Sequence, residues 1–256
     1  MHKHLQKLFQ QRFVHIGILC VVVFSTIAVG IAVLPHQQAK AATYMSDVLF
    51  IHGIDDKDIP KKNCNDGTNF GPSKTYFQNQ GWSPQNLHTI GFYHEDNCDF
   101  NLNSQTPPST SACPGYTGND GTYEEDICSL AYKLAWYIYD TYTLNSKDVR
   151  IVAHSMGGVI VRYAIHAVAN HTLYPGFPDH LFIPKVVTIA TPHGGVPQTP
   201  VPVSLFLPCH NCLQYREMAG ITNSQLMNDL ESETKPQGAN GAGSTDWTLF
   251  SSICET

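Results

Sequence analysis

The segment Val149-Arg-Ile-Val-Ala-His-Ser-Met-Gly-Gly-Val-Ile-Val-Arg-Tyr163 constrains this chain more than any other. Residues 149–153 are a short apolar, β-branched run that reads as a buried strand, and residues 156–170 have the apolar spacing of a helix. Only His154 and Ser155 lie between them. A strand that enters a helix so abruptly needs small neighbours, because the two elements nearly touch. The turn residue is then held in strained backbone geometry with its side chain off the sheet edge. Ala153 stands where the G-x-S-x-G pattern has its first glycine, and Gly157 keeps the last. Ser155 is therefore the candidate nucleophile.

Around this segment strands and helices alternate. Further strands are expected at 47–51, 87–93, 184–190 and 247–254, and further helices at 74–80, 123–142 and 223–231. The second of these helices is given a capping box, with Thr122 as N-cap and Glu125 three residues on. Strands separated by helices require parallel crossovers, so the class is α/β with a mostly parallel sheet covered by helices on both faces. Residues 55–73 and 94–121, rich in turn formers and polar groups, read as insertions. Residues 196–215, rich in Pro, Val, Leu and Phe after a strand end, read as an apolar flap that contacts substrate.

At 256 residues and 42% hydrophobic content the chain can bury a sizeable core, and no linker divides residues 42–256, which are read as one domain. All 21 acidic residues follow Ala42, where only eleven of the 15 basic ones remain. Such a body repels nucleic-acid phosphates. His2, Lys3, Lys7 and Arg12 precede an apolar run over 13–34, and Ala39-Lys40-Ala41 offers a cleavage site. Residues 1–41 thus read as a secretory signal peptide, or else as an N-terminal membrane anchor on an extracellular domain. Leu19 before Cys20 is too bulky for a lipoprotein signal.

Seven cysteines follow the signal segment, an odd number in a compartment where disulfides persist. Those in the two insertions are expected to cross-bridge them. Cys209-His-Asn-Cys212 reads as a loop disulfide, since no second Cys/His pair has metal-ligand spacing. The acidic loop Glu95, Asp96, Asp99 matches no EF-hand, is read as solvated charge, and no metal is expected.

A serine hydroxyl needs a base to become a nucleophile, and the oxyanion that follows needs two preplaced donors. One is the N–H of Met156. The other is assigned to the N–H of Ile54, because Val48-Leu-Phe-Ile-His-Gly-Ile54 delivers the chain to the same sheet edge. His52 is read as shaping that turn rather than as the base.

Ile51-His-Gly-Ile54, Ala153-His-Ser-Met-Gly157 and Thr188-Ile-Ala-Thr-Pro-His-Gly-Gly195, in this order, resemble the small secreted bacterial triacylglycerol lipases of the α/β-hydrolase superfamily. The likeness covers residues 47–256 apart from the insertions. It implies a sheet that starts at the H-G strand and a serine acyl-enzyme acting on ester or lipid substrates. It also implies no cofactor, a monomer that touches lipid surfaces transiently, and a structural His193. The superfamily's chain order is Ser, acid, His. Strand 247–254 resembles the one before the catalytic acid, so the acid and histidine are expected beyond Thr256, with the last strands, and the written sequence to be incomplete. Glu255 is the candidate acid within it. Other readings are an acyltransferase or amidase of the same fold, or a catalytically dead secreted binding protein should the chain truly end at Thr256.

Overall fold

The computed structural model describes residues 46–54, 61–108, 113, 121–196, 209, 212–221, 224–231 and 245–251. All belong to one compact unit, 43–256. The proposed signal segment 1–41 lies outside the described residues, and among those residues no helix is long and apolar enough to cross a membrane.

Six strands form one sheet: β1 (Asp47–Ile51), β2 (Leu87–Gly91), β3 (Phe100–Asn101), β4 (Val149–His154), β5 (Lys185–Ile189) and β6 (Asp246–Phe250). Their order is β3-β2-β1-β4-β5-β6, and every pairing is parallel. The helices are α1 (Gly71–Asn79), α2 (Ile127–Thr141), α3 (Met156–Ala169), α4 (Leu213–Met218) and α5 (Ser224–Glu231).

Period-2 alternation along β1 sorts its side chains between two cores. Leu49 and Ile51 join the larger cluster, with Ile127, Leu130 and Leu134 of α2 and Val159 and Ile160 of α3. Val48 and Phe50 face the opposite side, where Phe70, Trp82 and the α1 residue Phe77 cover them. Phe77 meets the Phe50 ring edge-on at a centroid distance of 5.5 Å. Helices therefore lie on both faces of a parallel α/β sheet whose first described strand is the H-G strand.

The expected capping box is corrected. Helix α2 begins at Ile127, not Tyr123, and its N-cap is Asp126, whose carboxylate accepts from Ser129 N at 2.8 Å while Ser129 Oγ donates back at 2.5 Å. Glu125 is turned inward instead, pairs with the fully buried Lys133, and accepts from Gly121 N at 2.8 Å. Two elements have no counterpart in the sequence reading: β3, within an insertion, and α4, at the end of the supposed flap. Residues 197–208 of that flap are outside the described residues.

Disulfides Cys64–Cys98, Cys113–Cys128 and Cys209–Cys212 are present. The first joins the two insertions, as anticipated, and the third closes the Cys-His-Asn-Cys loop. Cys254 is outside the described residues.

Candidate active site

From β1 the chain runs to β2 on one side of the sheet, while β4 pairs on the other side of β1. The sequence order of the strands thus reverses between β1 and β4, and the loops leaving their carboxyl ends diverge to open a crevice, the usual ligand site of open α/β sheets. His52, Gly53 and Ile54 leave β1 at this point, and Ser155 leaves β4.

Ser155 is a single-residue joint between β4 and α3, with φ 53° and ψ −130°. A positive φ is costly for a side chain larger than glycine's and is held only where surrounding contacts fix it. Two contacts do so: Ser155 N donates to Ile189 O at 2.9 Å, and Ser155 O accepts from Gly158 N at 3.0 Å. The small residues predicted around the turn are required by close approach. A methyl group at Gly157 would stand 2.3 Å from His52 O and 2.7 Å from Ile51 O, so β1 and α3 touch there. A methyl group on Gly53 would lie 2.5 Å from Ser155 Cβ and 2.9 Å from its Oγ. The H-G turn is therefore packed directly against the serine side chain.

Met156 is the first residue of α3 and fully buried, and its N–H is one of the helix's unsatisfied donors. Ile54 is partly buried, and its N–H bonds no acceptor among the described residues. Neither does Ser155 Oγ. Glu255 is outside the described residues.

His52 is buried and stacks on Phe92 with ring centroids 4.1 Å apart. Its Nδ1 lies 2.7 Å from Gly53 O and its Nε2 lies 2.8 Å from Asp96 Oδ2, each an oxygen that accepts a hydrogen bond. With both nitrogens occupied, the ring has none to offer Ser155. Asp96 is not the solvated loop charge anticipated from the sequence. Its carboxylate is wholly buried and accepts from Phe92 N and Tyr93 N at 2.8 Å each and from Lys62 N at 2.7 Å. Burial would raise its pKa, but the His52 bond and charge and these N–H donors outweigh it and hold it below 3.8. Asp99 likewise pairs with Lys74 at 2.8 Å and accepts from Thr89 N at 2.8 Å, while Glu95 is exposed. No sequence pattern marks Asp96, because a carboxylate in a polar loop carries no periodicity.

His193 sits in the turn after β5. Its Nε2 lies 2.9 Å from Thr188 Oγ1, and burial, then the Arg162 guanidinium, push its pKa down to about 4. Arg162 donates to His193 O at 2.8 Å and to Leu230 O at 2.5 Å, tying α3 to this turn and to α5. Among the described residues, two groups bring potential metal-binding atoms within 4.8 Å: His52 with Cys64 and Cys98, and Asp126 with Cys113 and Cys128. In both, the two sulfurs are joined as a disulfide.

Beside the serine turn is a cavity of about 350 Å³, bordered by Gly53, Ile54, Lys62, Phe70, His154 and Ile189 among others. That volume falls within the roughly 300–1,000 Å³ of small-molecule sites.

A family described as "Putative serine esterase (DUF676)" matches residues 97–237, more than half of the chain. The chain belongs to this serine esterase family. Among solved structures, this esterase-family chain is similar to the mature form of the lipase BlEst2 from Bacillus licheniformis, at 13% identity and TM-score 0.45, over 81% of this chain and 66% of that one. It is also similar to the phospholipase PlaB from Legionella pneumophila in complex with thio-NAD, at 15% identity and TM-score 0.47, over 80% of this chain and 37% of that one. It thus spans just under two thirds of the first protein's length and little over a third of the second's. No curated protein matches it.

Proposed function

We propose that this esterase-family chain hydrolyses carboxylic esters through an acyl-enzyme on Ser155, with the N–H groups of Ile54 and Met156 as the oxyanion hole. The observation that carries the reading is the backbone of Ser155, φ 53° and ψ −130°, at the joint of strand and helix with the H-G turn against its side chain. In the reaction Oγ attacks the ester carbonyl as a base takes its proton. The carbonyl oxygen becomes the oxyanion, the alcohol leaves with a proton, and water then releases the acid and restores Ser155. The base is assigned to a histidine outside the described residues, and its acid partner to that same region, with Glu255 as the candidate within this sequence.

Lipidic acyl esters fit the apolar composition of residues 196–207, which follow β5 in the sequence. Three disulfides agree with a secreted protein that works in an oxidising compartment.

Fluorophosphonates react with activated serines, so the full-length protein should take one label, located by peptide mass spectrometry on Ser155, and Ser155→Ala should take none. Equal labelling of the Ser155→Ala protein would remove Ser155 from the mechanism.

A further inference from the structure

The carboxylate of Asp96 and the ring of His52 form an enclosed hydrogen-bonded pair behind the H-G turn, with side chains 0% and 3% exposed. Four donors converge on that carboxylate, three from the main chain at Lys62, Phe92 and Tyr93 and one from His52. The backbone donors belong to the segments on either side of β2 and of the Cys64–Cys98 bridge, so the carboxylate has a fixed position. Stacking on Phe92 fixes the ring plane. The other end of the ring then holds a single main-chain atom, Gly53 O, at 2.7 Å.

That atom belongs to the peptide unit that joins Gly53 to Ile54. The described chain has no cis peptide bond, and in a trans peptide the C=O and N–H point in opposite directions in one rigid plane. Holding Gly53 O toward His52 therefore sends the Ile54 N–H away from it. Glycine leaves ψ soft on one side of this unit, so local sterics set its orientation less firmly than between two residues with side chains. Substituting a side chain at Gly53 cannot supply the rigidity, since a methyl group would collide with Ser155.

We propose that Asp96 and His52 form a positioning pair that orients the Gly53–Ile54 peptide, and through it the Ile54 N–H that meets the oxyanion. The inference rests on the hydrolase reading above and adds to it a residue, Asp96, contributed by an insertion. Neither residue touches substrate. Asp96 aligns His52, and His52 aligns the donor.

The test uses the full-length protein, a short-chain p-nitrophenyl ester, and a trifluoromethyl ketone that forms an oxyanion adduct on serine. Turnover is expressed per fluorophosphonate-reactive site. His52→Asn keeps an amide N–H near the position of Nδ1 but lacks the bond to Asp96, so its kcat falls between those of wild type and His52→Phe. His52→Phe keeps the stacking and lacks the donor. In it and in Asp96→Asn, kcat falls on the order of 100-fold with KM unchanged, and ketone affinity falls by the same factor, as expected for a misplaced transition-state donor. A purely structural role lowers the number of reactive sites but leaves the ketone affinity of the rest at the wild-type value, and that result overturns the inference. So does a His52→Phe enzyme as active as wild type. Should the His52 variants fail to fold, Asp96→Asn decides by the same readouts. A wild-type protein that takes no fluorophosphonate on Ser155 overturns the hydrolase reading itself, and this inference with it.

Discussion

A methyl group is the smallest perturbation available at the serine turn, and the chain offers positions where its effects differ sharply. Gly157→Ala drives Cβ to within 2.3 Å of His52 O, a backbone atom that cannot move without dragging the H-G turn along. Overpacking of this kind costs typically about 1–3 kcal/mol. Gly157→Ala should therefore lower the urea midpoint and slow the labelling of Ser155. Gly194→Ala, with nothing within 4 Å of its added carbon, should do neither. Ser155 and Gly157 were readable because the need for a tight joint writes itself into adjacent positions. Asp96 was not: its partners come from residues 44 positions back and from main-chain atoms, which leave no trace in residue type.

At the scale of elements, long apolar patterns located β1, β4, α2 and α3 to within a few residues, since each buries a face or both faces of itself. The errors fall at the ends and in short pieces. Two-residue β3 and six-residue α4 are too short to show a period. The start of α2 was misplaced because Glu125, which has the spacing of a capping residue, is used as an internal ion-pair partner. Gln214 of α4 donates to Thr122 O at 3.1 Å and to Glu125 O at 3.0 Å, and Glu217 accepts from Ile127 N at 2.8 Å, so α4 is clamped to the start of α2. Burial raises the Glu125 pKa against the opposing pull of Lys133. Lys133→Met leaves that carboxylate buried without its cation and should cost about 3–5 kcal/mol in a denaturant titration. Adding Glu125→Gln should recover a large part of the loss. A loss under about 1 kcal/mol for the single change would mean that the pair contributes no more than an exposed ion pair.

For the molecule as a whole, the crossover between β1 and β4 gathers chemistry that the sequence keeps about a hundred positions apart. Parallel strands with helices on both faces were legible from alternation alone, and so was the meeting of the H-G and Ser155 loops at one sheet edge. The way the insertions enter the site was not legible, because polar loops carry no code for where they fold back. The Cys64–Cys98 bridge and Asp96 bring them against the H-G turn. The proposed acylation at this edge requires Ser155 Oγ and two main-chain donors to surround one atom. A crystal structure of the full-length protein carrying a phosphonate inhibitor tests that arrangement most directly. The account predicts phosphorus bonded to Ser155 Oγ and the phosphonyl oxygen about 2.7–3.1 Å from both Ile54 N and Met156 N, the reach of oxyanion-hole donors. An adduct on another residue, or a phosphonyl oxygen that bonds neither amide, would contradict it.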